Sequence, residues 1–154
     1  MKTKFFEFDP VIYPFPLIVC KYIENATADE IADKFLNVAD KRTAHQITDE
    51  YRPTPTQTAM TSLVIDKRTD QMYFLTVLFK PKIIRYGVIA HESLHIATLL
   101  GDWLGFEPPT NQNDEPRAYI VGWAANCIGS VLDGRPDMMK GKLYKFEDDA
   151  TEKN

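Results

Sequence analysis

The chain has 154 residues, 44% of them hydrophobic and 12% aromatic, which is material for one sizeable core and too little for several domains. A formal charge of −4 without a long run of one sign argues against a nucleic-acid backbone as partner. The two cysteines, Cys20 and Cys127, have neither the paired spacing of a thiolate zinc site nor the density of a disulfide scaffold, and read as buried small apolar residues.

Residues 1–10 carry Glu7 and Asp9 among their phenylalanines, so they lack the uninterrupted apolar stretch of a secretory signal. Residues 11–19 hold Pro14 and Pro16 and are too short to span a bilayer, which leads to an expectation of a cytoplasmic protein without a membrane partner. Residues 11–23 are rich in Val, Ile and Tyr and predict a strand whose early, proline-bearing part sits at a sheet edge. Thr27-Ala28-Asp29-Glu30 has capping-box spacing, and Ile31, Phe35, Leu36 and Val38 extend a predicted amphipathic helix to Asp40.

Residues 41–57 are polar, include Pro53 and Pro55, and predict a long loop. Residues 59–65 and 72–79 are β-prone runs separated by Asp66-Lys67-Arg68-Thr69-Asp70, the pattern of a hairpin. Pro81 opens a central helix over residues 83–100, with Gly101 as its expected stop. After a loop containing Pro108 and Pro109, Asn113 or Asp114 caps a last helix running to about Val131. Residues 140–154 are charged and are expected to fray as a tail on a single 1–139 domain.

His91-Glu92-Ser93-Leu94-His95 is an HExxH pattern inside the predicted central helix. Residues four apart share a helical face, so two imidazoles there can reach one zinc ion at about 2.0 to 2.1 Å. Glu92 beside them can serve as a general base toward water. Catalytic zinc normally takes three protein ligands. The remaining histidine, His45, lies in the polar stretch and reads as a solvated surface residue. Glu115 is the better candidate, because 19 residues separate it from His95, enough for an antiparallel helical return. Ala118, Gly122, Ala125 and Gly129 follow it as a stripe of small side chains that would let two helices approach closely. Asp102 competes, but it lies seven residues past His95, about 10 Å along the helix axis.

These residues resemble the gluzincin group of zinc metallopeptidases, in which HExxH on one helix is completed by a Glu from a following helix. The resemblance rests on His91, Glu92 and His95 and on Asn113-Asp114-Glu115-Pro116-Arg117-Ala118-Tyr119, covers about residues 58–130, and is closest to minimal single-domain forms, some of them from phage and mobile elements. It implies a small sheet with an edge strand over the zinc cleft. One departure is that Tyr119 stands where larger gluzincins carry an Asp that orients a zinc histidine. Tyr119, Tyr86 or Arg117 could stabilise an oxyanion, or no residue does.

The expectation is therefore an α+β, zincin-like domain: a small antiparallel sheet packed on an active-site helix and a following glutamate-bearing helix. It would bind one Zn2+ through His91, His95 and Glu115 and hydrolyse a peptide or protein substrate with Glu92 as base. The alternatives are a catalytically silent zincin-like protein that binds metal or a partner, and a protein with no metal at all.

Overall fold

The computed structural model describes residues 2–40 and 43–146. It is a mixed α+β fold, with a seven-stranded sheet and three α-helices. In chain order the strands are β1 (Phe5–Phe8), β2 (Leu17–Lys21), β3 (Phe35–Asp40), β4 (Thr43–Gln46), β5 (Ala59–Asp66), β6 (Met72–Leu78) and β7 (Lys142–Leu143). The helices are α1 (Asn25–Lys34), α2 (Tyr86–Leu104) and α3 (Glu115–Leu132). Among the described residues no helix is long and apolar enough to cross a membrane.

The strand order is β4-β3-β5-β6-β2-β1-β7, and every neighbouring pair is antiparallel except β2 with β6. The sheet is thus larger than expected and not purely antiparallel. Strand β2 lies inside it, not at an edge. Its run Leu17-Ile18-Val19-Cys20 is fully buried, as a strand covered on both faces requires, while Pro14 and Pro16 stay ahead of it, where no ladder bond is lost.

Helix α1 stops at Lys34 instead of Asp40. From Phe35 the backbone is extended and pairs Leu36 with Ile65 and Asn37 with Val64. Ladder pairing along β5 overrides the helical spacing of Phe35, Leu36 and Val38. The expected loop of residues 41–57 contains β4, which pairs Asn37 with His45. Strand β1, with Phe5 paired to Cys20, had no counterpart in the sequence reading.

The hairpin of β5 and β6 is as expected, with Leu63 opposite Phe74 and Thr61 opposite Thr76. Its turn is built on Asp66, whose Oδ1 accepts the Arg68 N–H at 2.7 Å. Asp70 there takes the left-handed conformation, φ 60°, which short polar residues tolerate.

Alternating side chains give the sheet two cores. One face packs Leu17, Val19, Leu63, Phe74 and Leu78 against Ile96 and Leu100 of α2 and Ile120, Cys127 and Ile128 of α3. The other packs Ile18, Cys20, Val64, Leu75 and Val77 against Ala28 and Ile31 of α1 and the rings of Phe5, Phe35 and Tyr51. Tyr144 and Phe146 close that second core through ring contacts with Phe35 at 6.1 and 5.5 Å. The segment up to Phe146 therefore belongs to the packed domain, whereas the rest of the expected tail, 147–154, lies outside the described residues.

Candidate metal centre

Helix α2 runs one turn past the expected stop at Gly101. It ends at Gly105, whose φ of 73° is the left-handed value glycine adopts without cost, and the Gly105 and Phe106 N–H groups close on the Gly101 carbonyl. Gly101 serves a different purpose: a Cβ there would lie 3.3 Å from both the Arg117 guanidinium and the Phe106 ring, so the position admits a close approach of α3. The buried face of α2 is Glu92, Ser93, Ile96, Ala97, Leu100 and Gly101, and His91, Leu94 and His95 are exposed.

His91 and His95 are brought together. Their Nε2 atoms are 3.0 Å apart and the rings are edge to face with centroids at 4.7 Å. Glu92 lies on the flank of α2 that meets β5 and is 4% exposed. Its Oε2 accepts the Thr61 hydroxyl at 2.6 Å, and Thr61 Oγ1 is 2.9 Å from Thr76 Oγ1. Glu92 Oε1 makes no hydrogen bond to the described residues, and the one sealed side-chain polar atom without a partner among them is the Tyr51 hydroxyl. Oε1 is therefore open to the adjoining cleft. That cleft, about 320 Å³, is lined by Thr56, Gln57, Thr58, Ala59, Gly87, Val88, His91 and Glu92.

One wall of the cleft is the start of β5, and this stretch has a free edge. Strand β3 covers β5 only at Val64, Ile65 and Asp66, so among the described residues 59–63 are paired on the β6 side alone. The Thr58 carbonyl accepts the Phe79 and Lys80 N–H groups, which points Thr58 toward β6. By alternation Ala59, Thr61 and Leu63 aim their backbone groups at the open edge.

A cavity of similar size, about 340 Å³, lies on the opposite face of the sheet among Lys2, Lys4, Glu30, Lys34, Lys145 and Phe146. Size does not separate the two. Of these two, the cleft at α2 has an imidazole, His91, beside a buried carboxylate, Glu92.

The expected third ligand is not gathered. Glu115 is the first residue of α3 and is exposed. Among the described residues no group of three His, Cys, Asp or Glu is placed to hold a metal ion. The stripe of small residues does not mediate packing either. Helix α3 meets the core through Ile120, Ala124, Cys127, Ile128 and Val131, while Ala118 and Gly122 are exposed and a Cβ on Gly122 or Gly129 would meet nothing within 4 Å. Bulk apolar side chains, not small ones, chose the buried face. The Arg117 guanidinium reaches Gly101, a residue six past His95 and about 9 Å further along α2.

The remaining candidates are scattered. Tyr119 and Tyr86 are exposed, at 66% and 90%. Arg117 covers the Phe106 ring at 5.3 Å, a packing contact. Asp102 is exposed near the end of α2. His45 is on edge strand β4, two strands from β5. Both cysteines are buried thiols, Cys20 in one core and Cys127 in the other; burial pushes Cys127 up to about 12 and Cys20 in the same direction. The residues missed by the sequence reading are Thr61 and Thr76. Their signal was available: each is a hydroxyl side chain on the inward face of a strand whose neighbours on that face, Ala59, Leu63, Phe74 and Leu78, are apolar. No protein-family model, curated protein or solved structure matches this chain.

Proposed function

We propose that this protein is a zinc-dependent peptidase of zincin-like arrangement, with His91 and His95 as metal ligands and Glu92 as general base. One observation carries the reading: two imidazole nitrogens converge to 3.0 Å on an exposed helical face, next to a buried carboxylate that lines a cleft together with His91. Neutral imidazole nitrogens so placed are the donor set zinc prefers. Glu115 is retained as the third ligand on the strength of its spacing and the gluzincin resemblance alone.

Zinc held there supplies a Lewis acid that makes water a nucleophile near neutral pH. The chain's own residues do the rest. Glu92 Oε1 takes the proton of the attacking water and returns it to the leaving amine. The free edge of β5 binds an extended substrate by backbone hydrogen bonds through Ala59, Thr61 and Leu63, which fixes the scissile bond over the cleft.

The test is zinc content and hydrolysis of untagged protein. About one zinc per chain is expected after loading and dialysis, lost in His95→Ala and weakened in Glu115→Ala but not in Asp102→Ala. Glu92→Gln should keep the zinc and lower hydrolysis of a peptide library by about 10²- to 10⁴-fold. A wild-type chain that emerges empty overturns the proposal, and a large loss confined to Asp102→Ala overturns the third ligand. Retention of zinc without any cleavage selects the second reading, a metal-binding protein without catalysis.

A further inference from the structure

We infer that Thr61, backed by Thr76, is a positioning residue that holds the Glu92 carboxylate and selects which of its oxygens faces substrate. The inference rests on the reading of Glu92 as the base, and its core, the Thr61–Glu92 link, is testable without it.

Proton counting fixes the direction of the chain. Thr61 has one hydroxyl proton, and its 2.6 Å contact with Glu92 Oε2 uses it, because a carboxylate only accepts. Thr76, 2.9 Å from Thr61, then has to be the donor to Thr61. Thr76 is 0% exposed, so water offers it no alternative partner. The hydrogen bonds therefore run from Thr76 to Thr61 to Glu92.

The placement is specific. Thr61 and Thr76 are directly opposite in the β5–β6 ladder, on the face toward α2. The pairs on either side of them, Ala59 with Leu78 and Leu63 with Phe74, are apolar and join the core. A half-buried hydroxyl, Thr61, and a buried one, Thr76, stand at the level of the sheet where Glu92 meets it.

The last torsion of a glutamate is broad and roughly two-fold, so an unheld carboxylate would present its oxygens interchangeably. Thr61 removes that freedom by engaging Oε2, and Oε1 is left for the cleft. Because β5 and β6 are sheet strands, the restraint comes from a rigid element, which suits a group that has to meet a reacting water within a few tenths of an ångström. The Thr61 hydroxyl is committed to Glu92 and acts through it, while the Thr61 backbone faces the free edge.

The experiment is a double-mutant cycle on the full chain in excess chelator, with Thr61→Val, Glu92→Ala and the double variant followed by thermal unfolding, and Thr61→Ser as the conservative control. Coupling should appear as a departure from additive Tm shifts of about 2–4 °C, with Thr61→Ser near wild type. Additive shifts overturn the inference. On a zinc-loaded preparation and a peptide that the wild type cleaves, Thr61→Val should lower kcat by about 10²-fold with KM unchanged, and Thr61→Ser should restore most of it. Unchanged kcat in Thr61→Val overturns the positioning role even if coupling is present. If the wild type cleaves no peptide but the coupling holds, the proposed function fails and the Thr61–Glu92 link stands.

Discussion

Among the described residues each face of the sheet covers one buried carboxylate, and the two are treated in opposite ways. Asp66, 2% exposed on the aromatic face, is saturated: Oδ1 accepts the Arg68 N–H, Oδ2 accepts the Tyr144 hydroxyl, and the Arg68 guanidinium lies 3.8 Å away. Glu92, 4% exposed on the helical face, has one neutral donor and one oxygen left open. Burying a charge is costly unless it is paired and hydrogen-bonded. A carboxylate fully surrounded by donors is there to hold a turn, whereas one buried with an oxygen withheld is available for chemistry.

The largest expected effect on stability comes from breaking the saturated side. Asp66→Ala leaves the Tyr144 hydroxyl and the Arg68 backbone N–H without their acceptor, at a cost of about 1–3 kcal/mol each, on the order of 10 °C in Tm together. Tyr144 also carries ring contacts to Phe35, Tyr73 and Phe146, so loosening it reaches the second core. Zinc affinity should be unaffected, because the change is on the other face. A Tm within about 2 °C of wild type would show that Asp66 is not the anchor and remove the contrast with Glu92.

Much of the helical face was legible in sequence because its signals are local. The His91–His95 spacing, the helix that bears it and the β5–β6 hairpin depend on neighbours within a few residues, and all three appear. What failed depended on partners far along the chain. Phe35, Leu36 and Val38 fit a helix until β5 is present to pair with them. The prolines before Leu17 suggested an edge, yet the buried run that follows is central because β1 and β6 flank it. The small-residue stripe on α3 implied packing, but apolar bulk on the other side of the helix decided which face turned inward. Placing Glu115 required that same orientation, so the third ligand was the part of the site sequence spacing could least define.

A smaller effect tests whether the aromatic face tolerates any unpaired polar atom. Tyr51 is 0% exposed and its hydroxyl has no hydrogen-bond partner among the described residues. Burial pushes it well above the usual phenol range, opposed by nearby Ser62. An unsatisfied buried hydroxyl costs about 1–3 kcal/mol. Tyr51→Phe should therefore raise Tm by about 2–4 °C. A fall of similar size would mean that Ser62 does hold the hydroxyl, and that the aromatic face is as fully satisfied as Asp66 suggests.

The smallest effect is a pH dependence at the margin of the same face. Glu7 lies two residues from Phe5 on β1, so both project toward the aromatic core. Burial raises its carboxyl above the ordinary 4.5, Asp9 adds to this, and Lys142, its partner in the β1–β7 ladder, opposes it. The folded chain then holds more protons than the unfolded chain between 4.5 and the folded value. Stability from Glu7 is complete below 4.5 and is lost as pH rises through that window. Glu7→Gln abolishes the titration, so its Tm should gain on wild type as pH goes from about 4 to 7, by roughly a degree or two once solvent screening of a half-buried group is allowed for. Lys142→Ala should move the other way and deepen the loss at neutral pH, because it removes the charge that favours the ionised form. Parallel wild-type and Glu7→Gln profiles would show that β1 leaves this carboxylate effectively in water; among the described residues the aromatic face would then bury a charge only where donors surround it, at Asp66, and the open oxygen of Glu92 on α2 would stand as the exception.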